Sequence, residues 1–441
     1  MVSEDRYVRS IELPWVDPER AYLALLASAE ASFWLDSGPA AVTGRSYLGS
    51  CAPEDVLVVE AGGDVAAALA AVEAEPALGE PALGRYGWLS FEAGAASVAP
   101  APTRVAAGDP PALALLRGDP VLEFDHAHHR LRVVGTTDVE ETARAVRALA
   151  TGPAAVPGPA APEPAGAVRW RHTPGAYTAL IERCQDAIRA GDAYQLCLTN
   201  EIVVTGRFDP VECYRRLRRS SPSHHGGLIR FGGRSLVSAS PERFLTGTAE
   251  GRVATHPIKG TRRRGRDAAE DRALREELVG SVKERAENVM IVDLVRSDLA
   301  RVAVTGSVAV DRLLEVESYP QVHQLVSEVS AQRAPGVGVA ALIAALFPAG
   351  SMTGAPKRRA VELLREWEAG PRGVYSGTFG RLGSDGSLDL AMTIRTLVLD
   401  DECARLGTGG GITALSVAAE EVEETRLKAR ALLAVLGVGQ E

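Results

Sequence analysis

Residues 153–166, PAAVPGPAAPEPAG, divide this 441-residue chain. Five of the fourteen are proline, which fits neither a helix interior nor a central strand. No apolar period runs through them, so they read as a linker or an exposed excursion. The division gives an N-terminal region, 1–152, a linker, 153–168, and a longer region, 169–441. A chain of this length can bury one large core or two ordinary ones. With 46 % hydrophobic and 24 % charged residues it has the profile of a soluble globular protein.

Other features exclude whole classes of function. The formal charge of −9 argues against a general nucleic-acid role. No apolar run is long enough to cross a bilayer, so no membrane role is expected. The opening MVSEDRYVRSIELPW contains no apolar stretch of signal-peptide type. The cysteines Cys51, Cys184, Cys197, Cys213 and Cys403 are scattered and form no CxxC. That pattern fits a reducing cytoplasm and argues against a zinc site.

Apolar patterning predicts strands at VLVVE and LRVVG and a helix at AYLALLASAEA before the linker. After it, TPGAYTALIERCQDAIRAGD predicts a helix opened by Thr-Pro. AYQLCLTNEIVV, GGLIRF and SLVSAS read as strands, followed by two long acidic helical stretches, 267–302 and 419–436. The first of these is a candidate for a break. No internal repeat or heptad array is present.

The acidic stretches hold the first candidate chemistry. Glu287 shares a helix face with Met290, Ile291 and Leu294, and Glu284 lies one turn back. Glu421 and Glu424 repeat the spacing at the start of the last helix. Two helices with paired carboxylates could hold a hard cation such as Mg2+. Equally, glutamates gather in the first turn of helices because they suit the dipole. LGTGGGIT, 406–413, offers backbone N–H groups to an anion, or is simply a glycine turn between strand and helix. AGSMTGAPKRRAVELL lacks the spacing of a nucleotide-binding loop. Glu242, after Pro241, is either a general acid or the partner of Arg243.

Lysine is scarce. Lys259, Lys283, Lys357 and Lys428 are the only four, against 44 arginines (48 basic residues less four). A codon bias that swaps surface lysine for arginine is the ordinary cause. Under it, the lysines that remain are enriched for positions where arginine cannot substitute, since lysine can shed its proton and arginine stays protonated. Lys259 lies in HPIKGTRRRG, read as a Pro–Gly-bounded turn. A nucleophilic lysine needs burial or neighbouring cations to depress its pKa. Arg262, Arg263 and Arg264 could supply the charge, or could pair with the acidic run that follows.

These segments, taken in order, resemble the chorismate-utilising enzymes: anthranilate, aminodeoxychorismate, isochorismate and salicylate synthases. The match runs through GDAYQLCLTN, SASPERFL, HPIKGTRRRG, KERAENVMIVDLVRSDLARV, GSMTGAPK, RGVYSGTFGRL, DLAMTIRTLVL, GTGGGIT and EEVEETRLKARALL, across residues 170 to 432. FWLDSG, GRSYLG, RYGWLSFEAG and VLEFDHAHHRLRVV resemble the N-terminal region of the two amino-forming types. The fold this implies is an α/β (α+β) sandwich of two mostly antiparallel sheets, with helices outside and the active site between. PIKGT, where anthranilate synthases read PIAGT, points to the aminodeoxychorismate synthase component I type. Gln195, where the water-adding members carry a lysine base, points to ammonia as nucleophile.

The resemblance implies roles residue by residue. Lys259 attacks C2 of chorismate while Glu242 protonates the departing C4 hydroxyl. Mg2+ is held by Glu287 and Glu424, with Glu284 and Glu421 on its waters. Arg395, Tyr375 and the N–H groups of Gly409, Gly410 and Gly411 receive the enolpyruvyl carboxylate. Gly260 and Thr261 line the ring, Lys428 neutralises carboxylates, and His323 and Thr353 are further polar site positions. No glutaminase motif occurs, so ammonia is expected from a glutamine amidotransferase subunit. Anthranilate synthase component I is the alternative enzyme, and a non-catalytic amidotransferase-binding relative the alternative class. Leu415 stands where the family commonly has Asp, and Cys197 replaces a commoner Asn or Val. Ser37 matches a tryptophan-binding motif of relatives, but SPSHHGG, with His224, His225 and Gly226, departs from its second half and argues against that site.

Overall fold

A computed structural model describes residues 7–100, 108–153, 155–319 and 322–439. Their strands form two sheets, of twelve and ten strands. Every named pairing is antiparallel. The larger sheet runs from Arg9–Leu13 at one edge, through Ala31–Asp36 and His225–Phe231, to Cys403–Ile412 and Gln195–Thr205. The smaller runs from Ile258–Arg263 through Val322–Gln332 and Thr378–Gly383 to Gly84–Leu89 and Val56–Val59.

Side-chain alternation assigns the residues of a strand to cores on its two faces. In Leu113–Gly118, Leu113 and Leu115 pack with helices while Ala114 and Leu116 face the other sheet. Phe33 and Trp34 divide in the same way, as do Leu236 and Val237. Strands buried on both faces need the continuous apolar runs seen in ALALL and SFWL. Phe33, Tyr86, Trp88 and Phe379 fill the space between the sheets. Helices Pro210–Ser220 and Ala418–Val435 cover the outside of the larger sheet, and Val282–Ala300 that of the smaller.

Strands from both sides of the proline-rich segment share each sheet. Ala31–Asp36 pairs with His225–Phe231, and Gly84–Leu89 with Thr378–Gly383. Val168 itself pairs with Val204, so the last linker position is strand.

Local signals explain most helix ends. Thr173 caps Pro174–Arg189 by accepting from Ala176 N, with Pro174 in the first turn. The first acidic stretch breaks at Ser281 into Ala268–Gly280 and Val282–Ala300, where Ser281 accepts from Glu284 N. The expected helix AYLALLASAEA is shorter than read: it spans Pro18–Leu25, and Ala31 already begins a strand. The glycine run is strand rather than turn, and so is the Lys259 segment. Among the described residues no helix is long and apolar enough to cross a membrane.

Candidate active site

A cavity of about 760 Å3 opens between the two sheets. The larger sheet contributes Gly407–Gly411, the smaller Lys259–Arg262, and the helices Glu284, Glu287, Glu421, Glu424 and Lys428. Glu242, Tyr375 and Arg395 also line the wall.

Lys259 stands at an irregularity in its strand. Ile258 pairs with Val326 and Thr261 with Gln324, so three steps on one strand meet two on the other. Such a bulge re-aims a side chain and is common beside active sites. Gly260 has φ +81°, and a Cβ there would come within 3.0 Å of Glu284 Cγ. Glycine therefore lets the bulge form and lets the acidic helix approach. Arg262, Arg263 and Arg264 pair with Glu277, Glu270 and Asp271 on the next helix. Of the two readings of that basic cluster, pairing with the acidic run is the observed one. The Lys259 side chain has no hydrogen bond or ion pair among the described residues.

Glu242 sits in the turn between Arg234–Ser240 and Arg243–Gly247. Arg243 pairs instead with Asp389, at 3.2 Å. The Glu242 carboxyl accepts from Ser351 Oγ at 3.0 Å. Burial pushes its pKa up to about 7, against the opposing pull of Lys259 and that hydrogen bond. A carboxyl half protonated near neutral pH suits a general acid.

The four glutamates of the paired helices gather around Lys283. Burial works against its ammonium, yet Glu421, Glu287, Glu424 and Glu284 together raise its pKa. Glu421 accepts from Ser416 Oγ at 2.7 Å, and Glu424 lies 2.6 Å from Lys428 Nζ. Partial burial pushes Glu424 up, but Lys428, Lys283 and Lys259 outweigh it and hold the carboxyl low. Glu287 is raised by burial, and its Oε1 is buried with no hydrogen-bond partner. Among the described residues no three His, Cys, Asp or Glu side chains are arranged to hold a metal ion by themselves. Mg2+ commonly takes only one or two carboxylates and keeps several waters, so the orphaned Glu287 oxygen and the hard donor set suit it.

The glycine strand pairs with Thr396–Leu399 only as far as Leu406. Beyond that, one backbone edge is left to the cavity, where Gly409 O accepts from Lys428 Nζ at 2.8 Å. A Cβ on Gly407 would lie 2.0 Å from the Tyr375 ring, and one on Gly411 2.2 Å from Gln195 Nε2. Arg395 has φ +52°, unusual for a residue with a side chain, and no side-chain hydrogen bond or ion pair among the described residues. A cavity that presents an unpaired guanidinium beside free backbone edges can receive a carboxylate.

The family profile described as chorismate binding enzyme matches residues 28–434. The chain belongs to the chorismate-binding enzyme family. Among its relatives is an aminodeoxychorismate synthase of Streptomyces pristinaespiralis, 39 % identical, with the match covering 95 % of this chain and 64 % of that protein. The chain thus spans less than two thirds of that relative's length. Anthranilate synthase component 1 of Streptomyces coelicolor is 38 % identical over 95 % of this chain and 86 % of its own. The crystal structure of anthranilate synthase component I from Streptococcus pneumoniae superposes with a TM-score of 0.75 at 28 % identity, covering 88 % of this chain and 92 % of that one.

Three expected site positions of this chorismate-binding enzyme do not line the cavity. His323 is buried behind it, where Nδ1 meets Ser318 Oγ at 2.7 Å and Nε2 meets Asp271 Oδ1 at 3.1 Å. Thr353 is turned to its own loop, donating to Ala349 O and Gly350 O. Gln195 lies against Gly411 with both amide atoms buried and unpartnered. Two residues that sequence reasoning left without a role are central. Lys283 stands amid the four glutamates, and lysine scarcity already marked it. Ser351 holds Glu242, and nothing local distinguished it from other loop serines.

Proposed function

We propose that this chain aminates chorismate at C4, giving 4-amino-4-deoxychorismate, with ammonia supplied by a glutamine amidotransferase partner. The observation that carries the reading is Lys259, unpaired at a bulge, its charge bearing on Glu242 as well as on Glu287 and Glu424. Glu242 gives its proton to the C4 hydroxyl, which leaves as water. Lys259, as the neutral amine, bonds to C2 as that C–O bond breaks. Ammonia then bonds to C4 and Lys259 departs with its electron pair. Splitting the substitution this way replaces one difficult step by two easier ones. Arg395, Tyr375 and the edge of Gly409–Gly411 orient the enolpyruvyl carboxylate. Glu287 and Glu424 would hold Mg2+, with Glu284 and Glu421 on its waters; the cation supplies positive charge for the ring carboxylate. Gln195 brings no base for water.

The test is product identity. Purified chain with chorismate, Mg2+ and ammonium is expected to release 4-amino-4-deoxychorismate by mass spectrometry. Anthranilate as the main product selects the second reading, which the 38 % identity to an anthranilate synthase component 1 favours.

Glu242 also sets a pH dependence. It acts protonated, and burial raises its pKa to about 7. Because the reaction uses Glu242 protonated and Lys259 as the neutral amine, kcat/KM for chorismate at fixed free ammonia is expected to pass through a maximum and to fall about tenfold per pH unit on its alkaline limb. A profile that rises to a plateau and never falls removes Glu242 as the acid.

A further inference from the structure

Lys357 is the one lysine of the four that does not line the main cavity. It is buried at the start of the Lys357–Trp367 helix, where Nζ donates to Asp298 Oδ2 at 2.5 Å and to Leu346 O at 3.1 Å. Asp298 is buried near the end of the Val282–Ala300 helix. Between Asp298 and Glu242 lies a small separate cavity of about 10 Å3, walled also by Ser351, Val295, Ile291 and Leu346. That is about the room one water needs, and two carboxyl groups and a hydroxyl border it.

We propose that Asp298 and Lys357 form a proton relay that recharges Glu242 through a single water in this small cavity. The inference rests on Glu242 being the acid of the proposed reaction. In that reaction Glu242 loses one proton per turnover to the departing hydroxyl. Ammonia enters with three N–H bonds, keeps them, and leaves as the C4 ammonium of the product, while Lys259 returns as the neutral amine. Glu242 is thus left one proton short. The bridging water gives a proton to the Glu242 carboxylate and takes one from the Asp298 carboxyl. Asp298 draws on the Lys357 ammonium, which regains its proton from solvent. Burial pushes the Asp298 carboxyl up against Lys357 and Arg301, and pushes the Lys357 ammonium down against Asp298. The two groups thereby approach each other in proton affinity, as easy transfer requires. On the Glu242 side the facing groups are Lys259 and Ser351.

The relay is needed to regenerate the acid and not for the first turnover, and this separates it from a structural role. Val295→Ile adds one methylene to the wall of the small cavity and leaves Glu242, Asp298 and Lys357 in place. In quench-flow with chorismate, Mg2+ and ammonium, its first-turnover rate is expected within about twofold of wild type. Its steady-state kcat is expected to fall at least about tenfold, with KM unchanged and a larger solvent isotope effect on kcat. Asp298→Asn, with its fold checked by thermal melting, is expected to behave alike. If first-turnover and steady-state rates fall together, the pair is structural and the relay is wrong. If neither falls in either variant, Glu242 regains its proton from the main cavity and the relay is equally wrong. A wild type that makes no 4-amino-4-deoxychorismate, or a fully active Glu242→Gln, instead overturns the reading of the reaction itself.

Discussion

Lys259→Arg is expected to abolish amination at C4, with kcat falling by roughly a thousandfold or more, as when other enzymes lose their nucleophile. Arginine keeps a positive charge at the bulge, so Glu242, Glu287 and Glu424 retain a cation close by. It cannot attack C2, because its guanidinium stays protonated. The arginine variant thus separates nucleophile from electrostatic contact. Lys259→Ala is expected to lose C4 amination equally, for a mixed reason: nucleophile and charge both go, and Glu242 loses the ammonium that opposes its burial. Alanine recreates the PIAGT of anthranilate synthases and opens space at C2, so a trace of C2-aminated product is expected in that variant alone. Intact-mass analysis of wild type with chorismate and no ammonia should detect an adduct on the peptide carrying Lys259. Near wild-type C4 amination by Lys259→Arg would reduce Lys259 to an electrostatic contact.

The second large effect is expected at Glu424. Glu424→Gln keeps the shape and removes the charge, and turnover is expected to fall roughly a thousandfold, since a lost metal interaction is worth several kcal/mol of transition-state stabilisation. Its side chain is about half exposed to the cavity, so stability should change by no more than about 0.5 kcal/mol. Calorimetric titration should register weaker Mg2+ binding in the variant without reference to turnover. Excess EDTA is expected to silence wild type, and added Mg2+ to restore it. Glu423→Gln is the control: Glu423 is exposed on the same helix and faces Arg426 and Arg430. Full wild-type activity in EDTA would dismiss the magnesium assignment.

Elements whose cues are local were readable in the sequence. Thr173 and Pro174 announce their helix, and AYQLCLTNEIVV and GGLIRF announce the strands Gln195–Thr205 and His225–Phe231. Glycine misled the reading twice, each time making a strand look like a turn. Gly407 to Gly411 look like a turn, yet their missing side chains make way for Tyr375 and Gln195 inside a strand. Gly260 made Lys259 look like a turn residue, whereas it permits a bulge. The glutamate pairs were visible as i,i+3 spacing, but their convergence on Lys283 depends on two helices 138 positions apart in the Lys283–Glu421 contact. The hydrogen bond that seats the Glu242 carboxyl likewise comes from Ser351, 109 residues away. His323 matched a site position by sequence, yet its ring is taken up by Ser318 and Asp271, contacts that no local pattern foretells.

The sharing of both sheets by the two ends of the chain also bears on synthesis. Gly84–Leu89 pairs with Leu113–Gly118 soon after it emerges, but its other edge waits for Thr378–Gly383, about 290 residues later. At 5–20 residues per second that is roughly 15 to 60 seconds on the ribosome. Ala31–Asp36 waits in the same way for His225–Phe231. Through that interval Trp34, Tyr86 and Trp88, all destined for full burial, sit on half-paired strands open to other chains. Expression yield should therefore depend on chaperone supply and translation rate more than on the stability of the finished protein.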